Sequence, residues 1–98
     1  MPAYVIVDIN VTDPAGYEEY KRLAPPTLAL YGGRYLARGG ATEVLEGDWD
    51  PKRLVILEFA DRAHARQWFE SSEYRPARDQ RHRTASTNMV VVDGLASP

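Results

Sequence analysis

Three charged side chains interrupt strand-like apolar runs in this 98-residue chain, and a charge placed there needs a purpose. Asp8 falls within Tyr4-Val5-Ile6-Val7-Asp8-Ile9, and Glu58 within Leu54-Val55-Ile56-Leu57-Glu58-Phe59. Arg38 closes Arg34-Tyr35-Leu36-Ala37-Arg38. With the first and third strands read as parallel neighbours, Asp8 and Glu58 fall side by side. Two carboxylates in one cavity push one pKa upward and create a general acid or base, which makes Asp8 and Glu58 the catalytic candidates. Arg38, on the adjoining second strand, would hold a substrate anion or neutralise one carboxylate. The same three residues also have a purely structural reading, a buried ion pair that fixes strand register or an interface.

A second group is aromatic: Tyr17, Tyr20, Tyr31, Tyr35, Trp49, Trp68 and Tyr74. A pocket for a flat organic molecule needs such a lining, although rings at helical spacing also serve as plain core. Trp49, in a turn cluster, and Tyr74, at a helix start, stand where large rings come near the surface. A third group is basic: Arg75, Arg78, Arg81 and His82 recur three or four residues apart along the last helix. They form either an anion-binding stripe or a solvated helix face. Arg38, Trp49, Tyr74 and Arg81 are therefore the substrate-binding candidates.

Other chemistries lack their residues. Two histidines and no cysteine leave no metal-ligand spacing and no thiolate or disulfide, so neither a metal nor a cofactor is expected. No glycine-rich phosphate loop and no Gly-x-Ser-x-Gly elbow occur. A net charge of −2 argues against a nucleic-acid partner. RNA-recognition modules of similar topology carry stacking rings on alternate positions of the third strand, where this chain has Leu54 and Ile56. No apolar run approaches the roughly 20 residues of a membrane-spanning helix. Met1-Pro2-Ala3 enters a strand directly with no signal-like segment, so a cytoplasmic location is expected.

The elements that must position these residues repeat in two halves. Residues 3–11 and 53–60 read as strands dense in Val, Ile and Leu. Each precedes an aspartate-capped helix, at Asp13-Pro14 and at Asp61, that carries an aromatic pair. The two strand–helix halves, each followed by a further strand, outline one ferredoxin-like βαββαβ domain over residues 1–98, with an antiparallel four-stranded sheet. Pro25-Pro26 should kink or split the first helix, leaving a short segment over 27–31. The second strand, 34–38, should be interrupted at Gly39-Gly40 and resume over 42–46. Ser71 or Ser72 should cap a helix over 73–83, the fourth strand should span 88–92, and 95–98 should form a loose tail.

Side chains alternate between the faces of a strand. Val5, Val7, Ile9, Val55, Leu57 and Phe59 make a wholly apolar face for the helices. The other face carries Tyr4, Ile6, Asp8, Leu54, Ile56 and Glu58, and is too apolar to be left in water. A two-fold homodimer closing sheet against sheet would cover it.

Tyr17-Glu18-Glu19-Tyr20, residues 31–40 (Tyr-Gly-Gly-Arg-Tyr-Leu-Ala-Arg-Gly-Gly), Leu45-Glu46-Gly47-Asp48-Trp49, Glu58-Phe59 and Ser71-Ser72-Glu73-Tyr74 with Arg81 beyond resemble the domain-of-unknown-function 1330 family. The resemblance spans nearly the whole chain and implies a dimeric α/β-barrel, but no reaction. Relatives by fold include cofactor-free monooxygenases of aromatic polyketides, haem-degrading enzymes and muconolactone isomerases, an analogy at the level of fold. The expected function is a dimer that binds a small organic acid or aromatic ligand in a pocket, with or without cofactor-free catalysis. The alternative is a non-catalytic binding, regulatory or stress-related module.

Overall fold

A computed structural model describes residues 1–96; positions 97–98 of the expected tail lie outside the described residues. The chain forms β1 (Ala3–Val11), α1 (Pro14–Leu30), β2 (Arg34–Arg38), β3 (Arg53–Phe59), α2 (Arg62–Glu70), α3 (Arg75–Thr84) and β4 (Ala85–Asp93). The four strands pair in the order β2-β3-β1-β4, antiparallel throughout, in the ferredoxin-like arrangement that the two halves imply.

The helices start where side chains can accept otherwise unpaired backbone N–H groups. Asp13 accepts from the Gly16 N–H at 3.2 Å with Pro14 in the first turn, and Asp61 accepts from the His64 N–H at 2.8 Å. All three helices lie on one face of the sheet. Val5, Val7, Ile9, Val55, Leu57 and Phe59 are buried there against Tyr17, Ala24, Leu28, Ala65, Trp68, Tyr74 and Ala77. The principal extents, 42 × 38 × 16 Å, leave room for one sheet and one helical layer. On the opposite face Ile6, Leu54 and Ile56 are half-buried, while Val90 and Val92 are 60% and 48% exposed.

Several expectations are corrected. β1 and β3 run antiparallel rather than parallel, because the chain returns along α1, ascends β2 parallel to β1, and descends β3 as the partner of both. α1 is not split at Pro25-Pro26 and continues to Leu30. Residues 42–46 form no strand: Gly39 turns the chain away at φ +73°, and residues 39–50 run exposed and irregular. Ser71 accepts from the Tyr74 N–H at 3.0 Å and shapes a turn, so α3 begins at Arg75 with Pro76 in its first turn. β4 extends over 85–93, paired with β1 along its whole length.

One irregularity matters for the site. Leu36 is bulged out of register between the pairs Tyr35–Leu57 and Ala37–Ile56. A single inserted residue moves every later side chain to the other face of the sheet. Arg34 therefore faces the open side with Glu58, whereas Tyr35 and Arg38 both face the helices.

Candidate functional site: a cleft lined by arginine and tyrosine

The antiparallel register separates the two catalytic candidates. Tyr4 stands opposite Glu58 and Leu54 opposite Asp8, so the carboxylates occupy different ends of the open face and form no proton-sharing pair. Glu58 accepts from Arg34 Nε at 2.7 Å, in the place anticipated for Arg38. Asp8 accepts from Trp49 Nε1 at 2.9 Å, which folds the exposed 39–52 segment back toward the open face.

The other candidates collect on the helix side. A cleft between α1 and the sheet is lined by Tyr17, Tyr20, Lys21, Tyr35, Arg38, Arg53 and Trp68 over a floor of Val7, Ile9, Val55, Leu57 and Met89. Its side chains leave it narrow, with open space comparable to a water molecule. Arg38 reaches across the mouth, its Nη2 donating to the Lys21 carbonyl at 2.8 Å while its guanidinium lies 4.6 Å from the Tyr35 ring centroid. Arg53 donates through Nε to the Tyr17 hydroxyl at 3.2 Å and lies 5.5 Å from the same ring. Gly39 makes room for it, since a Cβ at that position would collide with the Arg53 guanidinium.

Behind Tyr20 the site continues into the core. The Tyr20 and Tyr74 hydroxyls are 2.9 Å apart, and Tyr74 stacks on Trp68 with ring centroids 4.1 Å apart. Arg81, 2% exposed, donates through Nε to the Tyr74 hydroxyl at 3.4 Å and through Nη1 to the Thr87 hydroxyl. Its guanidinium also lies 6.0 Å from the Tyr20 ring. A buried cation is costly unless its donors are satisfied. Here neutral hydroxyls and an aromatic face meet the cation in place of a carboxylate.

Among the described residues, Arg38, Arg53 and Arg81 have no carboxylate within ion-pairing distance, whereas Lys21 pairs with Glu18 at 2.8 Å. The cleft is therefore a concentration of positive charge and polarisable rings. Among the described residues no cluster of His, Asp or Glu is arranged to hold a metal ion. Nor is any helix long and apolar enough to cross a membrane.

The expected basic stripe divides by environment. Arg81 is core, Arg78 donates to the Phe69 carbonyl at 3.0 Å, and Arg75 is exposed. Arg53 is a site residue that motif reading passes over, yet it begins β3 in phase with Val55, Leu57 and Phe59, which puts it on the helix face. For Arg81 the signal is the inward stripe Tyr74, Ala77, Arg81 and Thr84, at helical spacing.

A family model described as a domain of unknown function (DUF1330) matches residues 2–95. Among curated proteins none matches the chain. The crystal structure of RPA0582, a protein of unknown function from Rhodopseudomonas palustris, is similar at TM-score 0.77 and 18% identity, covering 98% of this chain and 84% of that one. SnoaB, a cofactor-independent oxygenase from Streptomyces nogalater, is similar at TM-score 0.65 and 11% identity, covering 98% of this chain and 95% of the other. HapK from Hahella chejuensis is similar at TM-score 0.65 and 18% identity, with 98% and 95% covered. At such identities these structures share the fold.

Burial, and then the neighbouring Tyr74, push the Tyr20 hydroxyl well above the ordinary tyrosine range. The unfolded chain ionises this residue near 10.0, so above that pH the folded chain retains a proton that the unfolded chain has lost. The stability it contributes is whole below that pH and falls as pH rises. Urea unfolding at about pH 8 and about pH 11 should show a loss of stability in the wild type that is smaller in Tyr20→Phe. An equal loss in the two proteins would contradict the buried hydroxyl pair. With the family model matched over residues 2–95, the chain belongs to the domain-of-unknown-function 1330 family.

Proposed function

We propose that the cleft binds a flat organic acid, an aromatic or enolic anion, which enters as the Lys21 side chain and the Tyr35 ring move outward, with Arg53 and Arg38 holding its charge and Tyr17, Tyr20, Tyr35 and Trp68 flanking its plane. One observation carries this: arginines and tyrosines converge on the cleft without a carboxylate among its lining residues. Charge-assisted bonds from arginine to a ligand carboxylate are the strongest the site can make. Tyr74 and Arg81 lie behind the cleft and set Tyr20 in place. Trp49, Asp8 and Glu58 lie on the open face, away from the cleft, and enter the proposal as groups that line an interface.

The same chain is proposed to pair with a second copy through that open face, forming the barrel of two sheets with the helices outside. Support comes from the apolar residues Ile6, Leu54, Ile56, Val90 and Val92, which no helix covers. Further support comes from Val44, Leu45 and Trp49, exposed on the adjoining segment. A two-fold axis lets one such patch cover its twin. Catalysis on the bound acid without a cofactor is the second reading, favoured by the Tyr20 hydroxyl, which lines the cleft and is backed by Tyr74 and Arg81.

Calorimetric titration with 2-naphthoate and with its neutral methyl ester tests the cleft. The acid should bind at least about tenfold more tightly, and Arg53→Met should remove most of that difference. Equal binding of acid and ester would overturn the reading.

Sedimentation at micromolar concentration tests the pairing. The wild type should run as a dimer and Ile56→Lys as a monomer or unfolded chain, because an unpaired charge buried between sheets is expensive. A wild-type monomer would refute it.

A further inference from the structure

In an α-helix each carbonyl accepts from the N–H four residues ahead. Proline has no N–H, so Pro25 leaves the Lys21 carbonyl, in the middle of α1, without its intrahelical donor. That carbonyl is the group Arg38 binds, at 2.8 Å across the cleft mouth. We propose that Pro25 is a positioning residue for the ligand site: it frees the Lys21 carbonyl so that the Arg38 guanidinium is held over the cleft.

Three departures from regular structure point to the same side chain. The Leu36 bulge turns Arg38 to the helix face. Gly39, at φ +73°, turns the chain immediately after it and leaves space for Arg53. Pro25 then supplies the acceptor on the opposite wall. Arg38 is exposed, and without that acceptor and the Tyr35 ring its long side chain would sample many rotamers in water. Guanidinium carries five N–H donors in a planar fork. One can stay on Lys21 while others meet the oxygens of an anion. A side chain held in place beforehand binds with less entropy lost. The same bond helps α1 to continue through Pro25-Pro26, since the acceptor that Pro25 strands is satisfied from outside the helix.

The proposal rests on the reading of the cleft as an anion site, and a double-mutant cycle separates the two. Pro25→Ala restores the N–H that pairs the Lys21 carbonyl, and Arg38→Met removes the external donor. Melting temperatures of the wild type, both single variants and the double variant should show that Arg38→Met costs about 4 °C with Pro25 present and close to nothing in the Pro25→Ala background. Pro25→Ala alone should raise the melting temperature, since a proline inside a helix is unfavourable. In titrations, Pro25→Ala should weaken 2-naphthoate binding about fivefold while leaving the methyl ester unchanged, and adding Arg38→Met to that variant should cost little more. An equal cost of Arg38→Met in both backgrounds, or unaltered 2-naphthoate binding by a folded Pro25→Ala variant, would overturn the proposal. If the wild type binds no naphthoate, the anion reading fails and the thermal cycle alone decides whether Pro25 and Arg38 are coupled.

Discussion

The guanidinium of Arg81 lies in the core at 2% exposure, held by the hydroxyls of Tyr74 and Thr87 and by the face of Tyr20. Tyr20 belongs to α1, Tyr74 to the turn before α3, Arg81 to α3 itself and Thr87 to β4, so one buried cation ties the helical layer to the sheet. Its donors must be met because removing a charge from water is expensive. Neutral partners meet them here, so the positive charge is not cancelled. The consequence reaches the cleft, where Arg53 and Arg38 also rest on tyrosines and a backbone carbonyl rather than on carboxylates. The helix side of the sheet thus gathers arginines unpaired with carboxylates among the described residues, while Asp8 and Glu58 are kept on the other face.

Keeping the two sets apart depends on the small bulge at Leu36. Without it, Arg38 would share the open face with Arg34 and Glu58, and the cleft would lose its outermost cation. The open face then makes its own pair, Arg34 with Glu58 at 2.7 Å, with Arg34 exposed to solvent and contributing modestly as such pairs do. Segment 39–52 follows the bulge directly. It is exposed along most of its length, and Trp49 draws it back by donating to Asp8.

Much of the fold was legible in the residues, for physical reasons that can be named. Period-two alternation set the bounds of β1, and aspartates ahead of apolar helical stripes marked where α1 and α2 begin. Of the residues singled out for binding, Arg38 lines the cleft, Tyr74 and Arg81 are buried behind its Tyr20, and Trp49 lies on the other face. Reading β1 and β3 as parallel brought Asp8 and Glu58 together on paper, and strand direction depends on the path of the chain through three elements rather than on any local motif. The partner of Glu58 was misjudged because the antiparallel β2–β3 register sets Arg34 opposite it and Arg38 opposite Val55, and register is fixed by the path of the chain rather than by composition. Pro25-Pro26 reads locally as a helix breaker. In the fold, the Lys21 carbonyl that Pro25 leaves without a helical donor accepts from Arg38, a partner 17 residues away that no local reading supplies.

The two tryptophans offer the most direct test, because one lies on each face of the sheet. Trp68 lines the cleft with its indole N–H on the Thr27 hydroxyl at 3.1 Å, and the Trp49 indole N–H is on Asp8 across the sheet. Nitrogen-15 spectra of the chain titrated with 2-naphthoate resolve the two indole signals. An organic acid seated among Arg38, Arg53 and the tyrosines should shift the Trp68 signal and leave that of Trp49 in place. A shift confined to Trp49, with Trp68 unmoved, would contradict the account.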